Sequence, residues 1–289
     1  METGYLLEDS SRLTGHIQEI LQERSIGEHL FPRGVSESTG ASAVLFPLSG
    51  KCPNSGSSHN PCLVLNKRSR VVKQPGDLCF PGGAISHGLD PKLAQFMRLP
   101  FFPLYRWPYW SKWQKERPRQ ARRLSLLFAT SIRESFEEMA LNPLGVQFLG
   151  PLPSQRLVMF RREIFPFVGW IRSQGRFFIN REVEKIVHIP LRELLNIDNY
   201  ARYKLLFNAP KGPERRGEFQ HFPCFLHRTM SRLRQSGYDG RVGTDVLWGA
   251  TYRIIMVFLE LIFGFKEPGM DGLEVVDGVI DEKYYRNGS

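Results

Sequence analysis

An α+β chain with a mixed β-sheet is predicted by three features of the sequence. Short apolar runs bounded by Pro, Gly and charge recur from Ala43 onward, one long helical stretch from Leu124 to Leu141 interrupts them, and a second apolar helical stretch, Thr244 to Phe265, closes the series. Ahead of the sheet, Leu13, Ile17 and Leu21 recur at helical spacing after the capping candidates Asp9 and Ser10, which predicts an amphipathic helix over 6–24. The Pro/Gly/Ser-rich residues after it read as a linker.

The first two strands are expected at Ala43–Leu48 and Cys62–Asn66, joined by the turn-forming KCPNSGSSHNP. Gln74–Gly83 then forms a strand broken by the pair Gly82-Gly83, a place for a tight turn or for backbone to approach a phosphate. Further strands are predicted at Val146–Leu149, Leu157–Phe160, Phe165–Ile171, Phe177–Phe178, Glu182–Ile186 and Phe219–Leu226, with a short helix opening at Pro190. This gives an N-terminal helix and linker over 1–40, one domain over 41–266 and a C-terminal tail over 267–289.

Composition bounds the class. In 289 residues, 42% hydrophobic and 24% charged, the chain has a globular profile that excludes disordered and fibrous classes. Cys52, Cys62, Cys79 and Cys224 lack C-x-x-C spacing and histidine partners, so zinc is not indicated. The acidic start METGYLLEDSSR lacks a signal-like apolar segment, which points to a cytoplasmic setting. Of the net charge of +10, residues 91–128 hold nine Lys or Arg against Glu116 alone, so the basic character is local and nucleic acid is not the expected partner. In that segment Pro100, Pro103, Pro108 and Pro118 forbid one long helix, while Trp107, Trp110 and Trp113 recur every third residue. Four readings stand: an aromatic insertion packed on its own domain, a membrane-surface element, a nucleic-acid-stacking element, or a lid over an anionic ligand.

The chemistry concentrates on the helix after it. Glu134, Glu137 and Glu138 fall at i, i+3 and i+4, so three carboxylates share one face, with Arg133 adjacent. Carboxylate oxygens gathered this way suit a hard divalent cation.

Gly83 followed by Arg133-Glu134-Ser135-Phe136-Glu137-Glu138-Met139-Ala140-Leu141 resembles the Nudix box. The chain differs from the common pattern in having Ala140 where a Gly closes the box and Leu89 where the first acidic residue falls, Asp90 coming one place later. Asp90 and Arg133 also enclose 42 residues, of which about 35, over roughly 91–127, are inserted. Arg68-Ser69, Lys73, Gly76, Phe80-Pro81-Gly82-Gly83, Phe165-Pro166-Phe167-Val168-Gly169, Ile189-Pro190-Leu191 and Trp248-Gly249-Ala250-Thr251 are similar to segments of the coenzyme A diphosphatase branch of that superfamily.

The resemblance implies a Nudix fold, its mixed β-sheet sandwiched between helices, and Mg²⁺- or Mn²⁺-dependent hydrolysis of a phosphoanhydride. It makes Glu134, Glu137 and Glu138 the metal ligands and catalytic carboxylates, and gives Arg133 the task of keeping them in register. Arg68, Arg70 and Lys73 become the candidates for substrate phosphates, and Gly82 and Gly83 the loop that approaches metal and phosphate. For coenzyme A or its derivatives the products are 3′,5′-ADP and (acyl-)phosphopantetheine. The alternatives are another nucleoside diphosphate derivative (a dinucleotide, ADP-ribose or a nucleotide sugar) and a non-catalytic module that binds RNA or anionic membrane through the insert.

Overall fold

The computed structural model describes residues 3–27, 40–53, 60–157, 162–208, 219–230 and 242–285. The expected linker, the middle of the first hairpin loop and residues 158–160 of one expected strand lie outside them.

The main sheet is mixed, in the order β3 (Leu78–Cys79), β2, β1, β7, β5 (Val146–Pro151), with β4 (Gly82–Ala84) paired to β1, β6 (Gln155–Leu157) to β7 and β8 (Val183–Pro190) to β2. Its centre is β1 (Ala41–Ser49), parallel to β7 (Arg162–Ile171) and antiparallel to β2 (Cys62–Arg68). A strand at this position is covered on both faces, so β1 reads as an unbroken apolar run instead of alternating. Val44, Phe46 and Leu48 enter one core with α2 (Ser10–Gly27) and α7 (Gly249–Phe263). Ala43 and Leu45 enter the other with α5 (Pro118–Met139), the glutamate-bearing helix. The expected sandwich of sheet between helices is therefore present.

The amino-terminal helix sits where its pattern predicts. Leu13, Ile17 and Leu21 are buried, and the Asp9 carboxylate caps the helix by accepting from the N–H groups of Ser11 (2.8 Å) and Arg12 (3.2 Å). A short turn of helix, α1 (Thr3–Glu8), precedes it.

Several sequence expectations are corrected. The glutamate helix starts at Pro118, not Leu124, because a proline at the first helical turn sacrifices no backbone bond. It ends at Ala140, whose φ of 51° lies in the left-handed region where Gly is usual; the N–H groups of Ala140 and Leu141 close onto the carbonyls of Phe136 and Ser135. Phe177–Phe178 is not a strand: it lies in the loop from β7 to β8 (Val183–Pro190), with the Phe178 N–H tied to the Met139 carbonyl. The closing helix begins at Gly249, and Val242–Leu247 before it is strand β11.

β11 belongs to a second, four-stranded sheet, β11-β10-β9-β12, made with β10 (Phe219–Met230), β9 (Tyr200–Phe207) and β12 (Val275–Ile280). β12 runs parallel to β9 and lies within the 267–289 segment. The sheets are joined by Asp245, which accepts from Lys185 (2.8 Å) and pairs with Lys67 (3.0 Å).

The insertion packs on its own domain. Trp107, Trp110 and Trp113 are buried, with Trp107 5.0 Å from Phe148 and 5.5 Å from Trp113, centroid to centroid. The Trp113 indole donates to Gln22 (3.1 Å), and Arg117 donates to the Ser25 carbonyl (2.7 Å), so the insert is clamped to α2. It helps cover the edge strand β5 (Val146–Pro151): Arg106 donates to the Val146 carbonyl (3.4 Å), and Gln18 of α2 to that of Phe148 (3.2 Å). Buried indoles cannot stack on bases or enter a bilayer, which removes the tryptophans from the nucleic-acid and membrane readings. No helix among the described residues is long and apolar enough to cross a membrane.

Candidate active site

The site forms where α5 passes β2 and the glycine-bearing strand β4 (Gly82–Ala84). Its organiser is Arg133. The guanidinium donates through Nε to Asp90 Oδ1 (2.7 Å), through Nη1 to Glu137 Oε2 (2.9 Å), and through Nη2 to Glu134 Oε1 (2.8 Å), Asp90 Oδ2 (3.3 Å) and the Ala84 carbonyl (3.1 Å). Burial works against its charge, but Asp90 and Glu134 outweigh that and hold it firmly protonated.

Asp90 is the support beneath. Its carboxylate is 0% exposed and also accepts from the Ser86 N–H (2.7 Å) and the Thr130 hydroxyl (2.8 Å). Although the acidic position of the family pattern falls on Leu89, Asp90 is the residue that holds Arg133, and Leu89 is exposed.

Gly82 and Gly83 are needed for close approach. A Cβ on Gly82 would sit 2.6 Å from the Val44 Cα, and one on Gly83 would sit 2.5 Å from Glu134 Oε1. The backbone of β4 thus lies directly against the glutamate face. The Gly82 backbone also hydrogen-bonds Glu138.

Glu138 points away from Arg133, into the sheet, where Asn66 Nδ2 donates to its Oε2 at 2.6 Å. Asn66, on β2, is 1% exposed, and its own Oδ1 is buried without a partner. Burial, with Glu134 close by, pushes the Glu138 carboxyl up to about 8, while Asn66, Gly82 and Arg68 pull it down less strongly. Burial also raises Glu134, in spite of Arg133.

The three glutamates therefore do not converge by themselves. Glu134 and Glu137 are bridged by Arg133, Glu138 is drawn to Asn66, and among the described residues no group of three or more His, Cys, Asp or Glu is gathered for a metal. The donor chemistry still fits a hard divalent cation. Glu134 and Glu138 are carboxylates whose burial outweighs the positive charge near them, so a cation between them would stabilise the ionised form of both.

Of the expected phosphate-binding residues, the structure brings Arg68 to the site. It acts electrostatically on Glu138, and its Nε donates to the Lys73 carbonyl at 2.7 Å. Arg70 and Lys73 have exposed side chains on the following loop. That loop is pinned at Asp77, which accepts from the Trp248 indole (3.1 Å) and the Tyr284 hydroxyl (2.5 Å). Trp248 is thereby tied, through the partly buried Asp77 carboxyl that burial raises, to the loop that leads into Phe80-Pro81-Gly82-Gly83.

Sequence reading missed Asn66 and Tyr284 and left Asp90 without a role. The signal for Asn66 was a polar side chain ending an apolar strand run; nothing local marks Tyr284.

No family model matches the chain. Two curated relatives do, both named uncharacterized Nudix hydrolase NudL. The one from Pectobacterium atrosepticum is 29% identical over 142 residues, 48% of this chain and 55% of the relative. The one from an Enterobacter species is 28% identical over 160 residues, 55% of this chain and 61% of the relative. The match thus spans under two thirds of either relative's length. Among solved structures, a Nudix hydrolase from Nitrosomonas europaea aligns at a TM-score of 0.36 and 10% identity, covering 85% of this chain and 80% of that one. The Nudix domain of Shewanella oneidensis NrtR, complexed with ADP ribose, aligns at 0.34 and 14%, covering 60% and 85%. TM-scores this low do not establish a common fold. Over about half its length the chain is thus similar in sequence to two proteins named as Nudix hydrolases.

Proposed function

We propose that the chain is a divalent-cation-dependent hydrolase of phosphoanhydrides whose substrate is coenzyme A or one of its derivatives, cleaved to 3′,5′-ADP and (acyl-)phosphopantetheine. The observation that carries the hydrolase reading is the fixed network Asp90–Arg133–Glu134/Glu137, set beside the buried Glu138 and backed by two glycines that admit no side chain. The coenzyme A assignment rests on the resemblance of the flanking segments, which Asp77 links through Trp248.

Glu134 and Glu138, with Glu137 at the rim, would hold Mg²⁺ or Mn²⁺. Such a cation supplies charge neutralisation to the pyrophosphate oxygens. Arg133 fixes the rotamers of Glu134 and Glu137, so their free oxygens face the substrate in one geometry instead of several. Asn66 and the Gly82 N–H restrain Glu138. Arg68 places a permanent positive charge beside the same carboxylate, where an incoming phosphate would meet it.

The test is a panel of coenzyme A, acyl-coenzyme A, ADP-ribose, NADH and diadenosine polyphosphates with Mg²⁺ and Mn²⁺, run beside Glu138→Gln. Expected are turnover of coenzyme A or its thioesters to 3′,5′-ADP and a loss of roughly a hundredfold or more in the variant. Turnover confined to another member of the panel removes coenzyme A. No cation-dependent turnover of any of them removes the hydrolase reading.

A further inference from the structure

Burying the three tryptophans leaves a different set of apolar side chains on the outside of the insertion. Of the 16 large hydrophobic side chains exposed among the described residues, five fall within Leu89–Tyr105: Leu89, Phe96, Leu99, Phe101 and Tyr105. Phe101, at 79%, is the most exposed of all 16, and it occupies a turn at φ 79°, a conformation that L side chains adopt at a cost.

The segment is not loose. Met97, Leu104 and Trp107 anchor its inner side in the core, and the N–H groups of Leu99, Phe102 and Arg106 bond back to Phe96, Leu99 and Phe102 at 2.9, 3.3 and 3.3 Å. The outward direction of Phe96, Leu99, Phe101 and Tyr105 therefore follows from a fixed turn. Arg106 extends the patch by donating to the carbonyl of Leu144 (2.9 Å), another of the exposed apolar side chains.

Along the chain from this segment the exposed charge is mostly positive, the exposed Glu116 being the exception. Lys92, Arg106, Lys112, Lys115, Arg119 and Arg122 are exposed, and Glu116 is the one acidic residue among 91–128. Exposed apolar side chains with cations within and after them in the chain are complementary to the surface of an anionic bilayer: the apolar groups enter the boundary below the headgroups while the cations meet the phosphates. The same surface suits single-stranded RNA less well. Leu89, Leu99 and Leu144 offer no ring for a base to stack on, and the best stacking side chains, the tryptophans, are buried.

We propose that the Leu89–Tyr105 segment, with Leu144, is a docking surface that holds this protein peripherally on anionic membranes. It does not depend on the hydrolase reading, because none of these side chains is a hydrogen-bond or ion-pair partner of Arg133 or the glutamates.

The experiment is co-sedimentation of the full chain with vesicles of phosphatidylcholine alone and of phosphatidylcholine with about a third phosphatidylglycerol, at low and physiological salt. The wild type is expected to sediment with the anionic vesicles only, less so as salt rises. The pair Phe101→Ser and Tyr105→Ser, both on exposed turns, is expected to weaken this at least tenfold with an unchanged melting temperature. Three results overturn the proposal: no sedimentation with anionic vesicles, equal sedimentation of wild type and double variant, or binding to a single-stranded RNA without binding to vesicles.

Discussion

Asp90→Asn tests the site where the sequence pattern and the fold disagree by one residue. The Asp90 carboxylate is fully buried and receives four donors: Arg133 Nε on Oδ1, and Ser86 N–H, Thr130 Oγ1 and Arg133 Nη2 on Oδ2. An amide keeps the volume but has one oxygen. Turned either way, its NH₂ faces either the Arg133 Nε–H or the three donors around Oδ2, and the charge that balances the buried guanidinium is gone. Breaking a buried ion pair from one side costs about 3–5 kcal/mol. At about 2 °C per kcal/mol for a chain of this size, the melting temperature should fall by roughly 6–10 °C, with activity falling as Arg133 loses its anchor. Leu89→Asn is the control. Leu89 is exposed, and the substitution should stay within about 0.5 kcal/mol of wild type. Differential scanning calorimetry of both variants decides the matter: equal melting temperatures for Asp90→Asn and wild type, or a larger loss at Leu89, would refute Asp90 as the support of the site.

Three further outcomes follow from the same geometry. The Glu138 carboxyl titrates at about 8 in the folded chain against 4.5 ordinarily, so its contribution to metal-free stability is complete below about 4.5 and is lost as pH rises through 8. In chelator, the melting temperature of wild type relative to Glu138→Gln should therefore drop by several degrees between pH 5 and 9, and parallel curves would exclude the raised carboxyl. Asn66→Leu removes the donor to Glu138 Oε2 and an orphaned buried oxygen together, so stability should hold while Mn²⁺ affinity, measured by calorimetry, weakens about 10–100-fold; unchanged affinity would leave Asn66 no part in the site. Ala140→Gly relieves a left-handed backbone at the end of α5 and should stabilise by about 1 kcal/mol, read as a rise of roughly 2 °C; a fall would show that the Ala side chain contributes packing that outweighs its strain.

What the sequence determined by itself is local: the carboxylates at i, i+3 and i+4 with Arg133 beside them, the apolar runs of β1, β2 and β7, and the helix of Leu13, Ile17 and Leu21. Periodicity carries these because side chains a turn or a pleat apart share a face whatever else the chain does. Strands whose apolar positions are interrupted by charge escaped it. β9, with Arg202 and Lys204 within it, and β12, with Asp277, hold together through each other's backbones instead of through an apolar pattern.

What only the tertiary structure decided is which distant groups meet. That Asp90 takes Arg133, 43 positions on, that Asn66 takes Glu138, and that Trp248 and Tyr284 share Asp77 all depend on how β2, β4 and the insertion seat α5 on the sheet. The insertion makes the same point. Its sequence offers tryptophans and arginines in one run, and only the fold sorts them: the indoles are sealed against Phe148 and Gln22, and Phe101 and Tyr105 are left facing out. Burial is settled by what lies across the interface, and a linear sequence does not record that.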